Sequence, residues 1–308
     1  MRRFARRSLT LLALAPAGLA AETPPLEHEE SLALVALVHD AAAVLAVDGL
    51  DKACAAFRRP DSRWLHDDTY VFVLDAAGAA LCHPVRPDLE GRSLLELADP
   101  KGHPIVASFL RETAGDREGF VHYQWPRPGE AVFVWKTTYV RRTRTPDSTE
   151  VVVGSGAYGL PMERAFVVEQ VDDAVALIEA EGEAAFATLR DPASGFVFGS
   201  AYVFVLDRVG VLEVNHAFPQ NEGQDVRELT DIDGRPFVRE MLRVPVGGSA
   251  WIHYNWPRPG DTRPAAKSSY VRAIDWQGKP LYVGAGVYFD PEPAVRHLGP
   301  ASDVPTDP

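Results

Sequence analysis

Between Ser31 and Phe57 apolar residues return at steps of three and four, with Leu34, Leu37, Val38, Ala41 and Leu45 on one stripe, which is the period of an amphipathic helix. A second stretch of this kind follows Pro161, a good helix-opening position, and carries Phe166, Val167, Val171, Val175, Ile178 and Phe186; it predicts an equally long helix. Elsewhere the period shortens. YVFVLD, AALCHP, GFVHYQW, AVFVWKTTYV and EVVVGSGAY are short β-type runs, punctuated by Gly, Pro and Asp as turns require, and the stretch from Pro104 to Thr113 between the second and third is helix-like. The order is one long helix, two strands, a short helical crossover and three strands, which predicts an α+β unit with a five-stranded antiparallel sheet.

The pattern occurs twice. YVFVLD spans Tyr70 to Asp75 and again Tyr202 to Asp207, followed by Gly78 and Gly210. His83 then answers His216, Gly91 answers Gly223, Leu97 answers Leu229, Asp99 answers Asp231 and Gly102 answers Gly234. HYQWPRPG from His122 returns as HYNWPRPG from His253, and the copies close with VGSGAY ending at Tyr158 and VGAGVY ending at Tyr288. The order never changes, so the chain is a tandem duplication: domains over 27–160 and 161–290, an opening segment 1–20, and a Pro-rich, aperiodic tail 291–308 expected to be disordered.

The WPRPG element supplies a turn, with two prolines fixing φ and a glycine admitting positive φ. If Pro126 to Gly129 forms a four-residue hairpin loop, Tyr123 lies opposite Val132 and Gly119 opposite Lys136. Strand alternation then gathers Tyr123, Trp125 and Lys136 on one face, with His122, Phe133 and Trp135 on the other. The same arithmetic groups Tyr254, Trp256 and Lys267. Two aromatic walls and a cation suit a small ligand with an apolar body and a carboxylate, because an occupant anion gives a buried lysine a partner. The competing reading has the lysine reaching solvent or a local acid while the aromatics fill core.

Charge and composition narrow the classes. The formal net charge is −12, and the first twenty residues hold four arginines and no acid, which leaves −16 on the rest; such a surface disfavours nucleic acid and anionic membrane. The opening itself, arginine-rich and then apolar from Leu9 to Leu19 with small residues at Gly18, Ala20 and Ala21, reads as a secretory signal peptide, with periplasmic export as its consequence. No later apolar run approaches the length of a membrane span. The two cysteines, Cys54 and Cys82, leave a disulfide open. His83, His103 and His122 lack metal-ligand spacing, GSG and GAG lack the glycine and helix of a phosphate loop, and no catalytic grouping recurs in both copies, so no metal, cofactor or enzyme is expected.

Taken together, YVFVLD..G, the His after the second strand, G..HY.WPRPG, K..YV and VG.G.Y resemble the single Cache domain of the type-2 kind, a PAS-like extracellular sensor, over roughly Leu32 to Tyr158 and Met162 to Asp290. The resemblance implies two tandem PAS-like Cache domains, each with a long N-terminal helix on a five-stranded antiparallel sheet and a small-molecule cavity on the sheet's other face. It adds His83 and His216 to the pockets, making His83, Tyr123, Trp125 and Lys136 in the first and His216, Tyr254, Trp256 and Lys267 in the second. Family members typically bind small organic acids or other small metabolites, and many are the outer portions of chemoreceptors and histidine kinases. A receptor would continue into a transmembrane helix and a signalling domain, whereas this chain ends at Pro308 with neither. The expectation is therefore a periplasmic binding protein that captures a small carboxylate and reports to a membrane sensor kinase, chemoreceptor or transporter, with the long helices available for a homodimer. A structural envelope module with vestigial pockets is the alternative.

Overall fold

The computed structural model describes residues 23–288; the expected signal peptide and the expected tail both lie outside them. Helix α1, Glu29–Phe57, leads into strands β1, Thr69–Asp75, and β2, Ala80–Cys82. Helix α2, Ile105–Glu112, crosses to strands β3, Glu118–Pro126, β4, Phe133–Arg144, and β5, Glu150–Tyr158. The strands pair antiparallel in the order β2-β1-β5-β4-β3, with a two-residue strand, Leu65–His66, also on the outer edge of β1.

The second half repeats this order. Helices α3, Arg164–Glu181, and α4, Ala185–Arg190, precede β6, Phe204–Asp207, and β7, Leu212–Asn215. Helix α5, Phe237–Met241, precedes β8, Ser249–Pro257, β9, Pro264–Trp276, and β10, Lys279–Tyr288. The sheet order is β7-β6-β10-β9-β8, the same topology as in the first half.

Alternation along β1 splits each domain into two cores. Val71 and Val73 point to one face, where Leu34, Val38, Ala41 and Leu45 of α1 pack with Val151 and Val153. Tyr70, Phe72 and Leu74 point to the other, against Ile105, Val106 and Phe109 of α2 and Val121 and Tyr123 of β3. Each such large side chain, fully buried, contributes about 1.5–3 kcal/mol, so sheet and helices are held from both sides. Contrary to the expectation that no later segment is long and apolar enough for a membrane span, α1 is so by length and composition; its buried stripe is taken up by the sheet. It is kinked at Gly49, where φ is 78°. The expected second long helix is interrupted instead. Gly182 takes φ 66°, a conformation glycine enters without a Cβ penalty, and a 3-10 turn, Gly182–Ala184, separates α3 from α4.

Between the halves the contacts are polar at one end and aromatic at the other. The fully buried Glu163 accepts the backbone N–H groups of Glu27 at 2.8 Å and His28 at 3.2 Å, just ahead of α1. Phe166 of α3 meets Phe120 of β3 at 4.7 Å between ring centroids, and Phe198 stacks on His122 at 3.9 Å.

Candidate ligand-binding site

The structure pairs Tyr123 directly with Lys136 and Tyr254 with Lys267, and the hairpins close at Pro126 with Phe133 and at Pro257 with Pro264. The first loop therefore runs from Arg127 to Val132 and is two residues longer than the four-residue loop expected. Because the pairing shifts by an even number of residues, no side chain changes face: Tyr123, Trp125 and Lys136 do share one side of the sheet, and His122 and Trp135 the other, where Phe198 covers them.

Lys136 is 0% exposed, and its Nζ has no hydrogen-bond partner. It lies 3.9 Å from the centre of the Tyr70 ring and 4.9 Å from that of Tyr158. Desolvation costs an ion several kcal/mol, and a desolvated cation–π contact offsets about 2 kcal/mol. With no acceptor oxygen, desolvation dominates, and burial holds the amine well below the usual lysine range. Lys267, 2% exposed, repeats the arrangement between Tyr202, 4.1 Å away, and Tyr288, 4.8 Å away. Here, however, Nζ donates to the Tyr202 hydroxyl at 2.8 Å. Burial brings Lys267 down to about 7.

The repeated motifs now have physical roles. Gly156 and Gly286 clear the path of the lysine; a Cβ on Gly286 would stand 2.5 Å from Lys267 Cε, and one on Gly156 would overlap Lys136 Cε and Thr138 Oγ1. Gly154 makes room for the Phe72 ring, which a Cβ would meet at 2.5 Å. Tyr158 closes the hairpin: its hydroxyl donates to the Pro126 carbonyl at 2.7 Å, and the Arg127 guanidinium lies 4.7 Å from its ring. Tyr288 does the same with Pro257 at 2.8 Å and Arg258 at 5.0 Å. Tyr123 and Tyr254 share hydrogen bonds with Thr138 at 2.8 Å and Ser269 at 2.9 Å, so each phenol has a partner within its own sheet.

A cavity of about 30 Å³ lies in the first half, lined among others by Tyr70, His83, Phe109, Tyr123 and Trp125. Since one water needs roughly 10–15 Å³, it takes two or three water-sized groups, the bulk of a very small organic molecule. Lys136 is not itself in the lining; Tyr70 belongs both to the lining and to the lysine's aromatic enclosure. His83, 7% exposed, lies tilted against Tyr70 at 5.1 Å between ring centroids, and burial, reinforced by Lys136, lowers its imidazole to about 4.

The second pocket differs in two ways. His216 is not brought to it: its Nδ1 meets the Arg190 carbonyl at 2.8 Å, at the end of α4 on the opposite face. Tyr70 to Ile105 aligns without insertion on Tyr202 to Phe237, so Asn215 is the counterpart of His83. Both backbone N–H groups at this point donate to a glutamate, His83 to Glu90 at 2.7 Å and Asn215 to Glu222 at 2.6 Å. Pairing His83 with His216 is a slip of one residue, which on a strand reverses the face. In addition, Phe218 stands where the first half has Arg86, 6.0 Å from Tyr202 and 5.9 Å from Trp256. Phe237 replaces Ile105 and stacks on Tyr254 at 4.1 Å.

Tyr70, Tyr158 and Asp99, with Tyr202, Tyr288 and Asp231, were not among the expected site residues, although the repeat contains all six. Asp99 fixes the loop over the pocket: one oxygen accepts His103 N–H at 3.0 Å and the other Gln124 N–H on β3 at 2.9 Å. Asp231 does likewise with Arg235 at 2.9 Å and Asn255 at 2.9 Å. Cys54 and Cys82 are free and buried, close enough for a thiol–thiol hydrogen bond. No group of three or more metal-ligating side chains occurs among the described residues.

These features can be set beside known proteins. The chain is 30% identical over 96 residues to the methyl-accepting chemotaxis protein McpP of Pseudomonas putida, covering 31% of this chain and 17% of that protein. It is 32% identical over 91 residues to the sensor histidine kinase MctS of Rhizobium johnstonii, covering 30% and 19%. The match thus spans less than a fifth of either relative. Among solved structures, a periplasmic sensor domain of a chemotaxis protein is 29% identical over 42% of this chain and 92% of its own, with a TM-score of 0.34. A Cache chemosensory domain described for carboxylic acid recognition is 22% identical over 44% of this chain and 100% of its own, with a TM-score of 0.36. The family model described as Cache domain matches residues 60–164 and 176–292, taking in both sheets and both lysine pockets, and the chain belongs to that family.

Proposed function

We propose that the first half of this sensor chain captures a small carboxylate, with Lys136 as its charge partner. The observation that carries the reading is a fully buried amine without a hydrogen-bond partner, enclosed by tyrosines, beside a cavity of about 30 Å³. Tyr70, Tyr123 and His83 offer polar atoms, and Trp125 and Phe109 wall an apolar end, the division of labour found in small-molecule pockets. Lys136 and a carboxylate would form a charge-assisted hydrogen bond, about twice as strong as a neutral one. In the second half Tyr202 supplies Lys267 with a partner and Phe218 and Phe237 bring rings to the site, which favours a structural role there.

By analogy with relatives named as a chemotaxis protein and a sensor histidine kinase, occupancy is reported from the periplasmic side to a membrane partner: a sensor kinase, chemoreceptor or transporter. Helix α1, with Leu32 50% and Val47 76% exposed, offers the surface for a homodimer.

The test is a thermal-shift panel of acetate, propionate, pyruvate, lactate, dicarboxylates, amino acids and amines. A ligand at a hundred times its dissociation constant stabilises by about 2.7 kcal/mol. Small monocarboxylates should shift the melt and Lys136→Met should abolish that shift; an amine or nothing at all shifting it would refute the reading.

A further inference from the structure

Lys136 presents an asymmetry that its copy does not. Both amines are walled by two tyrosine rings, but Lys267 has the Tyr202 hydroxyl as acceptor, whereas Lys136 Nζ has no acceptor. The titratable groups around Lys136 are Tyr70 from β1, Tyr123 from β3, Tyr158 from β5 and His83 beyond the end of β2. Behind them stand Arg127, stacked on the far ring, and Arg86, paired with Asp88. Among the described residues no carboxylate faces the amine, and burial lowers its basicity. An ammonium ion here would have aromatic faces and no oxygen to bond.

We propose that the first pocket takes up its carboxylate together with a proton: Lys136 is neutral in the protein alone and becomes the ammonium ion as the ligand arrives. This rests on the carboxylate reading above and adds to it how the site responds to pH. The balance is simple: one carboxylate and one proton from solvent enter, the proton forms the third N–H bond of Nζ, and no other bond is made or broken. The incoming oxygens supply the acceptors the protein lacks, so the charged form becomes stable only in the complex. The sensor therefore responds to the product of acid anion and proton concentrations, which is proportional to the concentration of the undissociated acid. Affinity falls about tenfold per pH unit wherever the amine is neutral in the protein alone and charged in the complex.

The experiment is isothermal titration calorimetry of the whole chain with acetate, propionate, pyruvate and lactate at pH 7.5, in buffers of different ionisation enthalpy. The dependence of observed heat on that enthalpy gives the protons taken up. The expected result is close to one proton per ligand bound, with the dissociation constant rising about tenfold between pH 7.5 and 8.5. Binding with no proton uptake overturns the proposal and leaves the carboxylate reading standing; no binding by any of the four acids defeats that reading and the proposal with it. His83 is the other candidate proton acceptor, and His83→Asn installs the residue of the second half. Uptake of close to one proton in the binding that His83→Asn retains places the proton on the amine. Binding by His83→Asn without proton uptake overturns it.

Discussion

At the scale of single residues, the lysine pockets depend on what is missing beside them. Gly156 has ordinary strand geometry, so its need for glycine is steric: any Cβ would occupy the space of Lys136 Cε and Thr138 Oγ1. Overpacking of this kind costs about 1–3 kcal/mol. Gly156→Ala should destabilise the fold by that amount, lowering the melting temperature, and displace the lysine, so any ligand-induced shift should vanish as well; an unchanged melt would show that the side chain has another path. The sequence made the shared face of Tyr123, Trp125 and Lys136 legible because side-chain direction repeats every second residue, and an even-numbered error in the hairpin leaves it intact. The same rule explains the failure at His216. There the slip was one residue, an identical letter beside the true counterpart Asn215, and the side chain lies across the sheet. Lys136 itself could be assigned a face from sequence, but its lack of an acceptor depends on where Tyr70 and Tyr158 are brought by other strands.

Among elements, the loop between β2 and α2 and the strand β3 are joined by one carboxylate. Asp99 accepts N–H groups from Lys101 at 2.8 Å and His103 at 3.0 Å within the loop, and from Gln124 on the strand at 2.9 Å. Removing one partner leaves a donor unsatisfied at about 1–3 kcal/mol if buried. Asp99→Ala should therefore weaken the first domain by a few kcal/mol and expose the Gln124 amide to faster hydrogen exchange, with the β4–β5 amides protected as before. Unchanged exchange at Gln124 would assign the clasp no role. The Asp99 and Asp231 match was visible in the repeat, but its function was not, because the partners are backbone groups that carry no letter. The helices show the opposite case. Periodicity found both, yet it does not register Gly182, whose positive φ ends α3 three residues before α4 begins.

For the whole molecule, the seam between halves is a place where burial can be read out. His122 is stacked by Phe198 from the second half, at 3.9 Å, and burial, with His103 adding to it, lowers its imidazole to about 3. Its counterpart His253 is exposed, with the Ser268 hydroxyl at 2.6 Å as a partner. Phe198→Ala should readmit water, and the His122 pKa measured by NMR should climb toward the ordinary value of about 6.5. A value that stays near 3 would mean that Phe198 does not seal the seam. The two halves share a topology but not a pocket chemistry: an amine without an acceptor in one, an amine held by Tyr202 among added phenylalanines in the other. The account therefore predicts one binding site per chain. The direct measurement is the calorimetric stoichiometry of a small monocarboxylate with the unaltered chain, Lys136→Met and Lys267→Met. One, zero and one site respectively is the predicted result; two sites in the unaltered chain, or binding that survives Lys136→Met, would contradict it.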